Sequence, residues 1–221
     1  MADIPSIWLL YWPYDMDVAR PYAAICPSLD GEVLSVLAGT SRPLTGREVA
    51  RLTGRASHAG VLEVLNRLAE HGLVDRQEAG RALLFTLNRE HLAAPAVDIL
   101  AGMRTELFNR IREAISRWQV APLHVSIFGS TARGKGDTRS DIDLFIVRAK
   151  GVSQDDSRWR AQLDALARRI ERWTGNRAGI SEVAEEDLTQ LRDEHPPIVA
   201  ELRSDAIVLS GSGIRLLIGT T

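Results

Sequence analysis

Residues 124–147, HVSIFGSTARGKGDTRSDIDLFIV, hold the side chains whose types and spacing could do chemistry. Residues 125–128 form a short apolar run suited to a buried strand. Gly129 and Ser130 follow at once, and the chain then turns through Thr131 to Gly136. A glycine there lets the backbone turn sharply and approach a ligand closely. A serine hydroxyl beside free backbone N–H groups, at the start of a helical turn, makes an anion site suited to phosphate. Asp141 and Asp143 then begin a second apolar strand over residues 142–147. Residues two apart in a strand share a face, so both carboxylates project together while Ile142, Leu144 and Ile146 face the other way. Such a pair repels itself unless a cation lies between, and all-oxygen donors suit Mg2+ or Mn2+. Phosphate turn and carboxylate pair together imply a metal–nucleoside triphosphate as ligand.

Gly129 to Lys135 also fits the G-x-x-x-x-G-K pattern of a phosphate-binding P-loop. That loop needs Ser or Thr next to hold magnesium, and this chain has Gly136 there. No acidic residue stands at a plausible second position on a strand, so the P-loop reading is rejected.

Gly129-Ser130, ten intervening residues and Asp141-x-Asp143 closely resemble the nucleotidyltransferase superfamily that includes DNA polymerase beta. The form FGSTARG…SDIDL resembles its minimal bacterial branch, and the resemblance extends over roughly residues 100–210. It implies an α/β (α+β) domain with a mixed sheet and helices mainly on one face. It also implies that Gly129 and Ser130 hold the triphosphate while Asp141 and Asp143 ligate two divalent metals. Arg133 would sit near the phosphates or brace the turn. Lys135 and Arg139 would add positive charge or stay solvated, and Ser140 would cap or orient the strand start. The family places a third carboxylate on a later strand, usually an aspartate. Residues 178–183, AGISEV, read as that strand with Glu182 as the acid, a departure from the pattern. Glu182 would complete the catalytic metal site, or be a surface residue one turn too far.

The elements that must position these groups follow from patterning. A helix spans about 156–173, further helices cover 185–192 and 197–203, and a closing strand covers 206–209. Upstream, Leu29, Val33, Leu34 and Leu37 have the spacing of an amphipathic helix. Thr45 with Glu48 is a capping-box pattern opening a second helix that stops near Gly54. Ser57 caps a third, whose Val61, Leu65 and Leu68 form a buried stripe, and Gly72 ends it. Residues 74–77 and 82–87 read as strands joined by a glycine turn.

Three helices and a hairpin in this order resemble the winged helix-turn-helix domains of bacterial regulators. In such a domain the third helix enters the major groove of duplex DNA and the wing meets the backbone. Those places hold Arg55, Ser57 and His58, with Arg76 and Arg81 on the wing. Glu48, Glu63, Glu70, Asp75, Glu78 and Glu90 nearly balance the arginines, so the same face could be solvated or dock a protein. The expected organisation is an N-terminal arm over 1–26, a winged helix over 27–92, a connecting helical segment over 93–118 and a nucleotidyltransferase domain over 119–221.

At 221 residues, 45% hydrophobic and 25% charged, the chain can bury two small cores. A net charge of −2 argues against binding nucleic acid by bulk charge, but not against a local basic face. Cys26 is alone, which excludes an intrachain disulfide and a cysteine zinc site and agrees with a cytoplasmic location. Residues 4–14 are apolar and aromatic but too short to span a bilayer, and no signal-peptide pattern surrounds them. The expected function is transfer of a nucleoside monophosphate from an NTP to a protein or RNA hydroxyl. The alternative is a DNA-binding regulator, or an antitoxin-like protein of a toxin–antitoxin pair, whose second domain senses nucleotide or binds a partner without turnover. A homodimer would suit paired half-sites on DNA.

Overall fold

The computed structural model describes residues 16–214 except 55 and 195, together with Leu217 and Gly219. Its chain divides into two compact units, one over Asp17–Glu113 and the other built on Ala114–Thr221 with Met16. Residues 1–15 of the expected arm lie outside the described residues. Residues 17–26 count with the first unit, where Val18 and Tyr22 are buried and Pro21–Ala24 make one 3-10 turn.

The first unit runs α1 (Leu29–Ala38), β1 (Leu44–Thr45), α2 (Gly46–Thr53), α3 (His58–Glu70), β2 (Val74–Ala79) and β3 (Ala82–Leu87). The capping box is present: the Thr45 hydroxyl accepts from Glu48 N at 3.2 Å, and Glu48 Oε2 accepts from Thr45 N at 2.8 Å. The bond from Thr45 N, then those from the Arg42 guanidinium and the Thr45 hydroxyl, hold the Glu48 carboxyl well below its ordinary range, at about 2. Ser57 Oγ accepts from Gly60 N and caps α3. Gly80, at φ +62°, turns β2 into β3, and β3 lies between β1 and β2 in a three-stranded antiparallel sheet. The helical stripe closes over that sheet: Val33, Leu37, Val49, Val61 and Leu65 cluster with Phe85 and Leu87.

α4 (Ala94–Ser116) runs through the point where the two units divide. The second unit continues with β4 (Pro122–Ile127), α5 (Gly129–Arg133), β5 (Ile142–Arg148), α6 (Ser157–Thr174) and β6 (Ala178–Ala184). A 3-10 turn, α7 (Leu188–Glu194), α8 (Pro197–Asp205) and β7 (Ile207–Gly211) complete it. Its sheet has the order β6-β5-β4-β7, with β5 and β6 parallel and the other pairs antiparallel.

One expectation needs correction. Helices cover both faces of this sheet rather than mainly one. On one face α6 reaches Glu182 of β6 through Trp159 Nε1. On the other, Val199 and Leu202 of α8 cluster with Phe128, Phe145 and Val147. The cause is in β5 itself, where Ile142, Leu144 and Ile146 are buried on one face and Phe145 and Val147 on the other. A strand apolar on both faces must be covered on both.

His124, fully buried on β4, donates from Nδ1 to the Ser212 carbonyl at 2.6 Å, while its Nε2 has no hydrogen-bond partner. Burial holds its pKa below the ordinary 6.5, only partly offset by the bond to Ser212. The folded state therefore keeps a neutral ring. As pH falls below about 6.5 the unfolded chain takes up a proton that the folded chain refuses, and stability declines until the folded ring titrates. Thermal melts should shift down between about pH 7.5 and pH 5, and His124→Gln should flatten that dependence.

Candidate active site

Three chain segments meet at Asp143, and the strand register brings them there. β4 and β5 are antiparallel with Ile127 opposite Leu144, so the residues leaving β4 lie beside the residues entering β5. The Phe128 N–H donates to the Asp143 carbonyl at 3.1 Å, and Gly129 opens α5 directly after it. β5 and β6 are parallel with Asp143 opposite Gly179, so both strands begin at the same end of the sheet.

The two glycines close on the Asp143 carboxylate from either side. A Cβ on Gly129 would stand 2.8 Å from Asp143 Oδ2, and a Cβ on Gly179 would stand 2.8 Å from Oδ1 and 4.0 Å from the Asp141 Cβ. Any side chain at either place would strike the carboxylate. Gly129 also has φ +69°, in the left-handed region that glycine enters without strain. Asp141 is exposed just before β5, and Asp143 is half-buried. Burial, then the charges of Asp141 and Glu201, push the Asp143 carboxyl above its ordinary range, while Arg133 opposes them.

The turn that follows Gly129 is a defined structure. α5 ends at Gly134, φ +64°, and Lys135 N donates to the Ser130 carbonyl at 3.0 Å. The Ser140 hydroxyl accepts from Asp137 N at 2.9 Å and donates to Asp137 Oδ1 at 3.0 Å, closing the loop ahead of Asp141. Asn176, buried just before β6, donates from Nδ2 to the Ser140 carbonyl and accepts from Met16 N, each at 3.0 Å. Lys135 and Arg139 are exposed on this loop.

Arg133 takes the second of its two expected places: it turns to α8, with Nη1 at 2.7 Å from Asp205 Oδ2 and 3.8 Å from Glu201 Oε2. Glu182 corrects the expectation of a third acid beside Asp141 and Asp143. It stands opposite Ile146, three residues beyond Gly179, which is about 10 Å along the strand and on the other face from Asp143. There it pairs with Arg148 and accepts from Trp159 Nε1 at 3.0 Å. Among the described residues, no three of His, Cys, Asp and Glu come together as a metal site. Two carboxylates still fit a magnesium ion, which commonly takes one or two from the protein and fills its octahedron with phosphate oxygens and water. The sequence reading missed Gly179, although an isolated glycine inside a strand pattern signals close approach by another group.

Of the residues expected to meet DNA, Arg55 lies outside the described residues. Ser57 caps α3, His58 opens it exposed, and Arg76 and Arg81 are exposed at the hairpin.

Residues 108–210 match the family of the nucleotidyltransferase domain. The match takes in the turn at Gly129, both aspartates and β6. No curated protein and no solved structure matches the chain.

Gly179 and Glu182 can be told apart experimentally. Gly179→Ala should leave the fold intact, because the atom displaced is the end of a flexible side chain, but weaken Mn2+ binding at least tenfold by the electron-spin signal of the free ion. Glu182→Gln should leave Mn2+ binding unchanged and lower stability by about 3 kcal/mol in denaturant melts, since Arg148 would be left as an unpaired buried charge.

Proposed function

We propose that the second unit is a metal-dependent nucleotidyltransferase that moves a nucleoside monophosphate from an NTP to a protein or RNA hydroxyl. The observation that carries this reading is the closure of Gly129 and Gly179 on both oxygens of Asp143, beside Asp141 and at the head of a phosphate turn. Paired carboxylates held this way repel each other and gain from a shared cation.

Asp141 and Asp143 would hold Mg2+ or Mn2+, and Gly129 and Ser130 would seat the triphosphate. Bound metal supplies charge neutralisation at the triphosphate and lowers the pKa of the acceptor hydroxyl. The chain's own residues fix the geometry. Gly129 admits the phosphate chain close to the backbone, and the bond from Asn176 to the Ser140 carbonyl fixes the approach to Asp141. The acceptor oxygen forms a bond to the α-phosphorus as the bond to pyrophosphate breaks, in line. Arg133 offsets part of the negative charge that Glu201 places near Asp143.

A second reading has its own support. The order of α1, β1, α2, α3, β2 and β3, with a capped α3 and exposed His58, Arg76 and Arg81, suits a winged helix on duplex DNA. The protein would then be a regulator whose nucleotidyltransferase domain senses nucleotide without turnover.

Incubation with Mg2+ and each α-labelled NTP, with and without cell lysate, separates the two. Label transfer to a protein or RNA band, lost in Asp141→Asn, is the expected outcome. Tight NTP binding without transfer, joined to salt-dependent binding of a specific duplex, would favour the regulator.

A further inference from the structure

A groove in the second unit lies away from Asp141 and Asp143. It lies between the end of α4 and α6 and has a volume of about 360 Å³, within the range of small-ligand sites. Arg117, Arg158 and Arg169 line it with Trp118, Gln162 and Ala161, and no carboxylate is among its lining residues. This is a local concentration of positive charge in a chain whose net charge is −2. Helix α6 as a whole carries five arginines, 158, 160, 168, 169 and 172, against Asp164 and Glu171.

The walls are fixed. Gln162 Oε1 accepts from Gln119 N at 2.7 Å and Val120 N at 3.1 Å, and its Nε2 donates to the Val120 carbonyl at 3.0 Å. Trp118 packs edge to face on the buried Trp159, with ring centroids 5.6 Å apart. Arg158 pairs with Asp156 at 3.1 Å outside the groove, whereas Arg169 has no ion-pair partner among the described residues. From Arg158 to Arg169 the helix advances about 16 Å, so the two guanidinium groups could meet different phosphates of one strand.

We propose that this groove binds a single strand of RNA. Planar guanidinium groups match phosphate oxygens two at a time. A held indole beside small alanines offers a base a surface to stack on, which makes such binding tolerant of sequence. An acidic peptide would use the charge but not the aromatic wall. The proposal stands whether or not the Asp141–Asp143 site turns over.

The test is fluorescence anisotropy of the full chain with labelled oligo(U) and oligo(A) RNA of ~12 nucleotides, over a range of salt. The wild type and Asp141→Asn should bind both strands alike. Arg117→Glu/Arg169→Glu should bind at least tenfold more weakly. The neutral variant Arg117→Gln/Arg169→Gln should lower the slope of log affinity against log salt by ~1.4, for two lost phosphate contacts. Circular dichroism melts check that both variants remain folded. Absence of salt-dependent binding, unchanged binding by folded variants, or displacement by polyglutamate as readily as by poly(U) would overturn the proposal. NTP transfer without RNA binding would remove the groove and leave the transferase reading intact.

Discussion

The second unit is arranged around one unfavourable thing, a half-buried carboxylate held next to another. Asp143 loses part of its hydration to the two glycines and gains the repulsion of Asp141, and both effects raise its pKa. Nothing in folding alone rewards that arrangement. It depends on two strand registers, Ile127 opposite Leu144 and Asp143 opposite Gly179. A slip of β5 by one residue would exchange its faces, turning Asp143 inward and lifting Ile142, Leu144 and Ile146 out of the layer they bury. The burial of those three side chains is therefore what holds the acid in its place.

Legibility from the sequence followed distance along the chain. The turn at Gly129, the Asp141-Asp143 pair and the Thr45–Glu48 cap each depend on neighbours within a few residues, and all could be read. Glu182 could not be placed, because its face depends on the parallel pairing of β6 with β5 across α6. Counting acids on the strand pointed to Glu182, whereas register selected Gly179. Arg133 faced a similar limit, with Asp205 72 residues further on. The second covered face of the sheet was a different kind of miss. Phe145 and Val147 stand in the sequence as plainly as Ile142, Leu144 and Ile146, and a run apolar at both parities already implies cover on both sides.

The misplaced acid has a physical role of its own. Trp159 is fully buried and brings an indole N–H that must be satisfied, while Arg148 at the end of β5 brings a charge into a mostly buried setting. One carboxylate answers both, since its Oε1 accepts from Trp159 Nε1 and from Arg148 Nη1. Glu182 thus ties α6 to the far ends of β5 and β6. A neutral residue there would satisfy Trp159 and leave Arg148 uncompensated, which explains an acid at this place without reference to chemistry at the other end of the sheet.

Helix α8 joins the two concerns. Its Val199 and Leu202 cover the Phe145 face, and its polar side carries Glu201 and Asp205 to within reach of Arg133. Glu201 raises the Asp143 pKa and Arg133 lowers it, so the pairs between α5 and α8 set the field at the carboxylates as well as the position of the turn. Such exposed ion pairs contribute little to stability, on the order of 0–1 kcal/mol. Their consequence is electrostatic instead. With Arg133 engaged by α8, the Asp141–Asp143 pair meets Glu201 already neighboured by a cation, and the negative charge gathered there is mainly that of the two aspartates.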